Sequence, residues 1–163
     1  MTSNFTIFKK QLANPFAFRL FLLSKVPAAF FAGLRLEKLE MQEAAISVRY
    51  TRFNQNPFRS VYFAVLLMAG EISTGILCMA YLYKRSLGVS MLLIHNESNF
   101  YKKATGKITF TCTDGLIINE AIDKAIANGD ATTVRCRSLG KNEQEETVAE
   151  FYFTWSFKTR RKA

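Results

Sequence analysis

The 163-residue chain contains one histidine, three cysteines, three prolines and one tryptophan. Histidine-dependent nucleophilic catalysis would have to run through His95, and no nucleophile motif accompanies it, so His95 is read as structural. Cys78, Cys112 and Cys136 are odd in number and lack metal-ligand spacing. They read as small core residues of a protein kept in a reducing compartment, with no metal site. Zinc-finger spacing, an RNP signature and a helix-turn-helix pattern are all missing, so the net charge of +9 does not point to nucleic acid. Repeats and low-complexity linkers are missing as well. The early apolar stretch is no signal peptide, because it starts late, lacks a cleavage site and is interrupted by Arg19 and Lys25. A cytoplasmic protein is expected.

Phenylalanine is abundant: fifteen residues in a chain that is 49% apolar. Such a chain packs an aromatic core or encloses an apolar ligand. The longest apolar run, Val61 to Tyr83, carries a single acid, Glu71. A helix from about Ser60 to Lys84 would be roughly 37 Å long at ~1.5 Å per residue, enough to cross a bilayer. An acid near the midplane, with no second span to pair it, argues against that. Gly70 and Gly75 beside Ser73 and Thr74 suit the close approach of a sheet. A helix buried on most sides, and no transmembrane span, is therefore expected.

Along the chain, residues 1–33 read as an N-terminal helical extension packed on a single domain of residues 34–163. The extension holds Phe8, Leu12, Phe16, Leu20 and Leu23 at helical spacing, and Pro15 and Pro27 divide it. A basic amphipathic segment of this kind also suits a membrane surface, but packing on the domain is the reading adopted. Two strands follow, "LRLEKLE" and "AAISVRYTR", the second half-buried by alternation. After a turn at Asn54–Pro57 comes the long helix, with Ser60 as its expected N-cap. "VSMLLIHNESNFYKK" and "KITFTCT" read as strands joined by a hairpin-like "ATG". "GLIINEAIDKAIANG" reads as a helix between an Asp114 cap and a Gly129 stop. A final hairpin pairs "ATTVRCRSLG" with "EETVAEFYFTWSFK", whose Ala149, Phe151, Phe153, Trp155 and Phe157 share one face. The C-terminal "KTRRKA" reads as a solvated tail. About six strands and one dominant helix imply an α+β fold with an antiparallel sheet curled round that helix.

The combination of "NPFRSVYFA", an acid nine residues after Tyr62, and "NFYKKATGKITF" resembles the hotdog-fold thioesterases. Within them it is similar to the phenylacetyl-CoA thioesterase type, and more so to an uncharacterised thioesterase-like branch. The resemblance covers roughly Leu34 to Lys158. The family motif places an Asn six residues before His-Gly-Gly, and an acid nine residues after that His. Here Asn56 stands at the Asn position, Tyr62-Phe63-Ala64 replace His-Gly-Gly, and Glu71 stands at the acid. The resemblance implies a long central helix wrapped by the sheet, and a homodimer or dimer of dimers with sites at the interface. It also implies acyl-CoA or a related thioester as substrate or ligand, with no other cofactor.

Thioester hydrolysis needs an activated water and a stabilised oxyanion. Glu71 is the candidate general base or nucleophile, with polar contact to a ligand and a plain structural acid as alternatives. Asn56 is the candidate for orienting water or carbonyl, or else a turn residue before Pro57. The amides of Tyr62, Phe63 and Ala64 are candidates for the oxyanion. Ser60 and Thr74 are weaker substrate-binding candidates, Thr74 sharing the face of Glu71. Lys102, Lys103, Lys107, Arg135 and Arg137 are weak candidates for the coenzyme A phosphates, a solvated sheet face explaining them as well. The expected function is acyl-CoA hydrolysis; the alternatives are a non-catalytic thioester- or lipid-binding protein of the same fold and a membrane-associated scaffold.

Overall fold

Three short helices open the computed structural model, which describes residues 2–85 and 88–159. They are α1 (Thr2–Leu12), α2 (Pro15–Lys25) and α3 (Pro27–Ala32), with Pro15 and Pro27 standing at helix starts where their missing N–H is not needed. The Asn14 side chain caps α2 by accepting from the Phe16 amide at 2.8 Å. Gly33, in the left-handed conformation at φ 83°, turns the chain out of α3. Then come β1 (Arg35–Leu39), β2 (Ala44–Arg49), α4 (Phe63–Leu82), β3 (Val89–Phe100), β4 (Lys107–Cys112), α5 (Gly115–Asn128), β5 (Thr132–Lys141) and β6 (Thr147–Thr159). Of the basic tail, residues 160–163 lie outside the described residues.

The six strands form one antiparallel sheet in the order β1-β2-β4-β5-β6-β3. The alternation in β6 is realised: Ala149, Phe151, Phe153, Trp155 and Phe157 are all buried against α4 or its flanks. β5 and β6 pair as the expected hairpin. The expected β3–β4 hairpin does not form. β3 pairs with β6, and β4 lies between β2 and β5. β2 is also more enclosed than its alternation implies, with Ala44 to Val48 all buried and the Ser47 hydroxyl donating to Glu37 at 2.5 Å.

α4 is long and apolar enough to cross a membrane, yet most of it is buried inside the fold. Its small residues set the distance to the sheet. A Cβ on Gly70 would stand 2.6 Å from the Phe151 ring, and one on Gly140 of β5 would stand 2.5 Å from Phe110. Those two rings stack on each other with centroids 5.1 Å apart and planes 11° from parallel. The Ser73 hydroxyl donates to the Gly70 carbonyl at 2.7 Å, leaving Ser138 of β5 to donate to Ser73, also at 2.7 Å. Helix and sheet are thus joined here by a polar pair inside a largely apolar layer.

The inner faces of α1–α3 belong to this same core through Phe5, Phe8 and Leu12 of α1, Phe18 and Leu22 of α2, and Ala29 and Ala32 of α3. The stripe expected to pack divides at Pro15. Phe8 and Leu12 are buried, whereas Phe16, Leu20 and Leu23 face outward because α2 carries large apolar residues on two faces and seats Phe18 and Leu22 instead. The three cysteines are buried and free, and burial raises their thiols, Cys112 to about 12. His95 is exposed on β3, 3.6 Å from Glu97.

Candidate functional site

Glu71 lies midway along α4, and its carboxyl leans toward the helix C-terminus. Its Oε1 would be 3.2 Å from a Cβ on Gly75, beside the Trp155 ring. Gly75, one turn on, leaves the space that the acid and the indole share. Among the described residues the Glu71 carboxyl has no hydrogen-bond or ion-pair partner. No sealed side-chain nitrogen or oxygen among them lacks one, so its oxygens keep contact with open space. The side chain is otherwise largely enclosed, and that desolvation raises its carboxyl to about 7.

This position makes folding stability depend on pH. A carboxyl whose folded value lies above its unfolded value keeps a proton that the unfolded chain has already released. Stability therefore falls as pH rises from about 4.5 to about 7, and is level above that. The expected loss from this group is roughly 3 kcal/mol. Urea unfolding of the wild type and Glu71→Gln at either end of that window checks it, since the variant should lack this part of the slope.

Thr74 shares the helix face but does not hold the acid. Its hydroxyl donates to the Glu71 backbone carbonyl at 2.9 Å and accepts from the Trp155 indole N–H at 2.9 Å. Thr74→Val should strand that buried N–H and cost about 1–3 kcal/mol, while Thr74→Ser should recover most of it. Denaturant unfolding with tryptophan fluorescence reads both variants.

Asn56 organises the turn before the helix. Its Oδ1 accepts from the Phe58 amide, the Ser60 amide and the Ser60 hydroxyl at 3.0, 3.2 and 3.1 Å, leaving only Nδ2 for a ligand among the described residues. Ser60 is not the helix cap. It is buried at the close of the Asn56–Ser60 turn, where its carbonyl accepts from the Asn56 amide at 2.8 Å inside the Gln55–Val61 bridge, and α4 begins only at Phe63 with Tyr62 as cap residue. Asn54, which the sequence does not single out, is the more buried amide. It receives the Thr51 amide and donates to the carbonyls of Ala32 and Arg49, tying the turn to α3.

At the α4 N-terminus the Tyr62 amide is taken by the Asn54 carbonyl at 2.8 Å. The amides of Phe63 and Ala64 have no acceptor among the described residues and lie at the positive end of the helix dipole. The rings of Tyr62 and Phe63 are exposed, and Phe63 meets Phe100 edge-on at 6.5 Å. These amides and Glu71 are not brought together within one chain. Ala64 stands seven residues before Glu71, roughly 10 Å along the axis, and the carboxyl leans the other way.

The five candidate phosphate-binding cations are dispersed. Lys102 pairs with Glu146, Lys107 with Glu37 at 2.8 Å, and Arg137 with Glu150 at 2.5 Å. Arg135 pairs with Glu97 at 3.1 Å and lies over the Tyr152 ring. Lys103 is exposed and has no such partner among the described residues. Lys107 and Arg137 line a groove of about 580 Å³ on the outer sheet face, with Thr109, Thr111, Lys141 and Glu143. Glu71 is not part of that groove.

Among solved structures, a Pseudomonas aeruginosa protein of unknown function described as a probable thioesterase is similar over 90% of this chain and 97% of its own. Its TM-score is 0.76 and its identity 21%. A Chlorobaculum tepidum protein of unknown function matches 93% of this chain and 99% of its own at TM-score 0.75 and 12% identity. A thioesterase of Haemophilus influenzae matches 90% and 91% at TM-score 0.62 and 12% identity. No family model and no curated protein matches the sequence. At these identities the likeness speaks for architecture: the chain has the hotdog fold, one long helix wrapped by an antiparallel sheet.

Proposed function

We propose that the protein hydrolyses acyl thioesters of the acyl-CoA class, with Glu71 as general base or nucleophile. The observation that carries this reading is the state of Glu71: largely desolvated, unpartnered among the described residues, yet with oxygens in contact with open space. As base, Glu71 takes a proton from water while the water oxygen attacks the thioester carbonyl carbon. The amides of Phe63 and Ala64 receive the oxyanion. Collapse breaks the C–S bond, the proton passes to the leaving sulfur, and a carboxylic acid and a free thiol result.

Because one chain's amides stand about 10 Å along the axis from its own acid, the reading calls for a second copy whose helix supplies the missing half. β3 favours such a homodimer: it is a twelve-residue edge strand with exposed Leu92 and Ile94. A dimer of dimers is the larger form that this arrangement allows. A cytoplasmic setting agrees with three free buried thiols.

Release of free thiol from short, medium and long acyl-CoA esters tests the proposal. Turnover of at least one is expected, and none across the panel would overturn it. A second reading, thioester binding without turnover, is favoured by Phe63 and Ala64, whose side chains stand where the resemblance has glycines. Saturable binding with no thiol released would select it.

A further inference from the structure

The outer face of the N-terminal helices has the chemistry of a lipid-surface anchor. Phe16 is 75% exposed and Leu20 56% exposed, and with Leu23 they follow i, i+4, i+7 spacing along α2. A second exposed aromatic group, on α3 and the loop after β2, is reached from α2 through Arg19 and the half-buried Phe30. The Arg19 guanidinium lies 4.3 Å over the Phe30 ring, Phe30 meets Phe31 edge-on at 5.3 Å, and Phe31 meets Phe53 at 6.4 Å. Phe31 and Phe53 are themselves 59% and 72% exposed. Scattered exposed apolar residues are ordinary, but a connected set of large ones marks a contact surface.

Charge identifies the occupant. Residues 1–36 contain five Lys or Arg and no Asp or Glu, and residues 44–70 contain three Arg and again no acid, although Arg49 is paired with Glu143 at 3.4 Å. Lys25 and Arg52 are exposed and have no carboxylate partner among the described residues. The first acids in the chain, Glu37 and Glu40, are held by Lys107 and Lys9 at 2.8 and 2.6 Å. A second copy set against this face would bring like charges together. A bilayer with anionic headgroups takes the phenyl and leucyl side chains below its surface and places phosphates beside the cations.

We propose that this face binds an anionic membrane surface peripherally, α2 lying in the interface while α4 remains inside the fold. The inference does not rest on the hydrolase reading. Flotation of the full-length protein with vesicles of phosphatidylcholine alone, and of phosphatidylcholine mixed with phosphatidylglycerol, tests it. Binding to the mixed vesicles, weakened by salt and about tenfold or more weaker with phosphatidylcholine alone, is expected. Phe16→Ser with Leu20→Ser, and separately Lys25→Glu with Arg52→Glu, should each lower binding to the mixed vesicles by a similar factor. All four positions are exposed, so circular dichroism should not change. Failure to float with either vesicle, equal binding to both, or wild-type binding by both variants would overturn the proposal.

Discussion

Glu71→Gln is expected to lower kcat toward any hydrolysed acyl thioester by about 10²–10⁴-fold, the range a positioned acid–base group contributes. The amide keeps the size of the carboxyl and the space that Gly75 leaves for it, but cannot take a proton from water. KM should move little, because the lost interaction belongs to the transition state. A structural explanation would predict a less stable variant. The opposite is expected above neutral pH, where the wild type holds an ionised carboxylate in a desolvated place and the variant does not. An inactive protein that unfolds at higher urea than the wild type would separate catalysis from folding. The wild-type kcat/KM should also rise with pH through about 7 and level off, since the base acts in its deprotonated form. Full activity in Glu71→Gln would exclude the acid from the chemistry.

Phe151→Ala should destabilise the fold by about 3–5 kcal/mol, the cost of truncating a fully buried phenylalanine. The position resists relaxation. On one side the ring lies against Gly70 of α4, which has no side chain to move into the space. On the other it stacks on Phe110, which is itself held against Gly140. Its edges meet Phe100 and Phe153 at centroid distances of 5.4 and 6.2 Å. Removing the ring therefore opens a cavity bounded by backbone and by rings already in contact. Phe100→Ala, at a half-exposed neighbour, should cost markedly less. Urea unfolding of both variants measures the difference, and equal losses would mean that the stack is not the keystone of helix–sheet packing.

Much of the fold is legible in the residues, and its gaps have identifiable causes. Period-two alternation in β6 reads correctly because one face is wholly committed to the core. The long run of α4 reads as a buried helix because a single unpaired acid suits a protein interior with an opening better than lipid. The β3–β4 hairpin fails because local turn chemistry at "ATG" says nothing about partners, and β3 finds its partner some sixty residues later. Periodicity in α2 finds a real face, Phe16, Leu20 and Leu23, but cannot tell inward from outward when the opposite face is equally apolar. At the candidate site, the spacing from Asn56 through Tyr62 to Glu71 leads to the acid and the helix start. It cannot reveal that Asn56 spends its carbonyl on Ser60 and Phe58, or that the carboxyl leans toward Gly75 and Trp155. Those are consequences of tertiary packing, in which Trp155 arrives from a strand eighty residues away.

The placement of β3 also sets an order of events in time. During synthesis it emerges well before β6, its sole neighbour in the sheet among the described residues, so Leu92 and Ile94 wait on an unsatisfied strand while β4, α5 and β5 are made. Contacts of such long sequence separation slow folding and lengthen exposure to aggregation. The late arrival of β6 supplies partners to β3 and β5 together and brings Phe151, Phe153, Trp155 and Phe157 onto the helix in one step. Acquisition of native structure should therefore be abrupt, with the helix of Glu71 gaining its final enclosure only when the last strand docks.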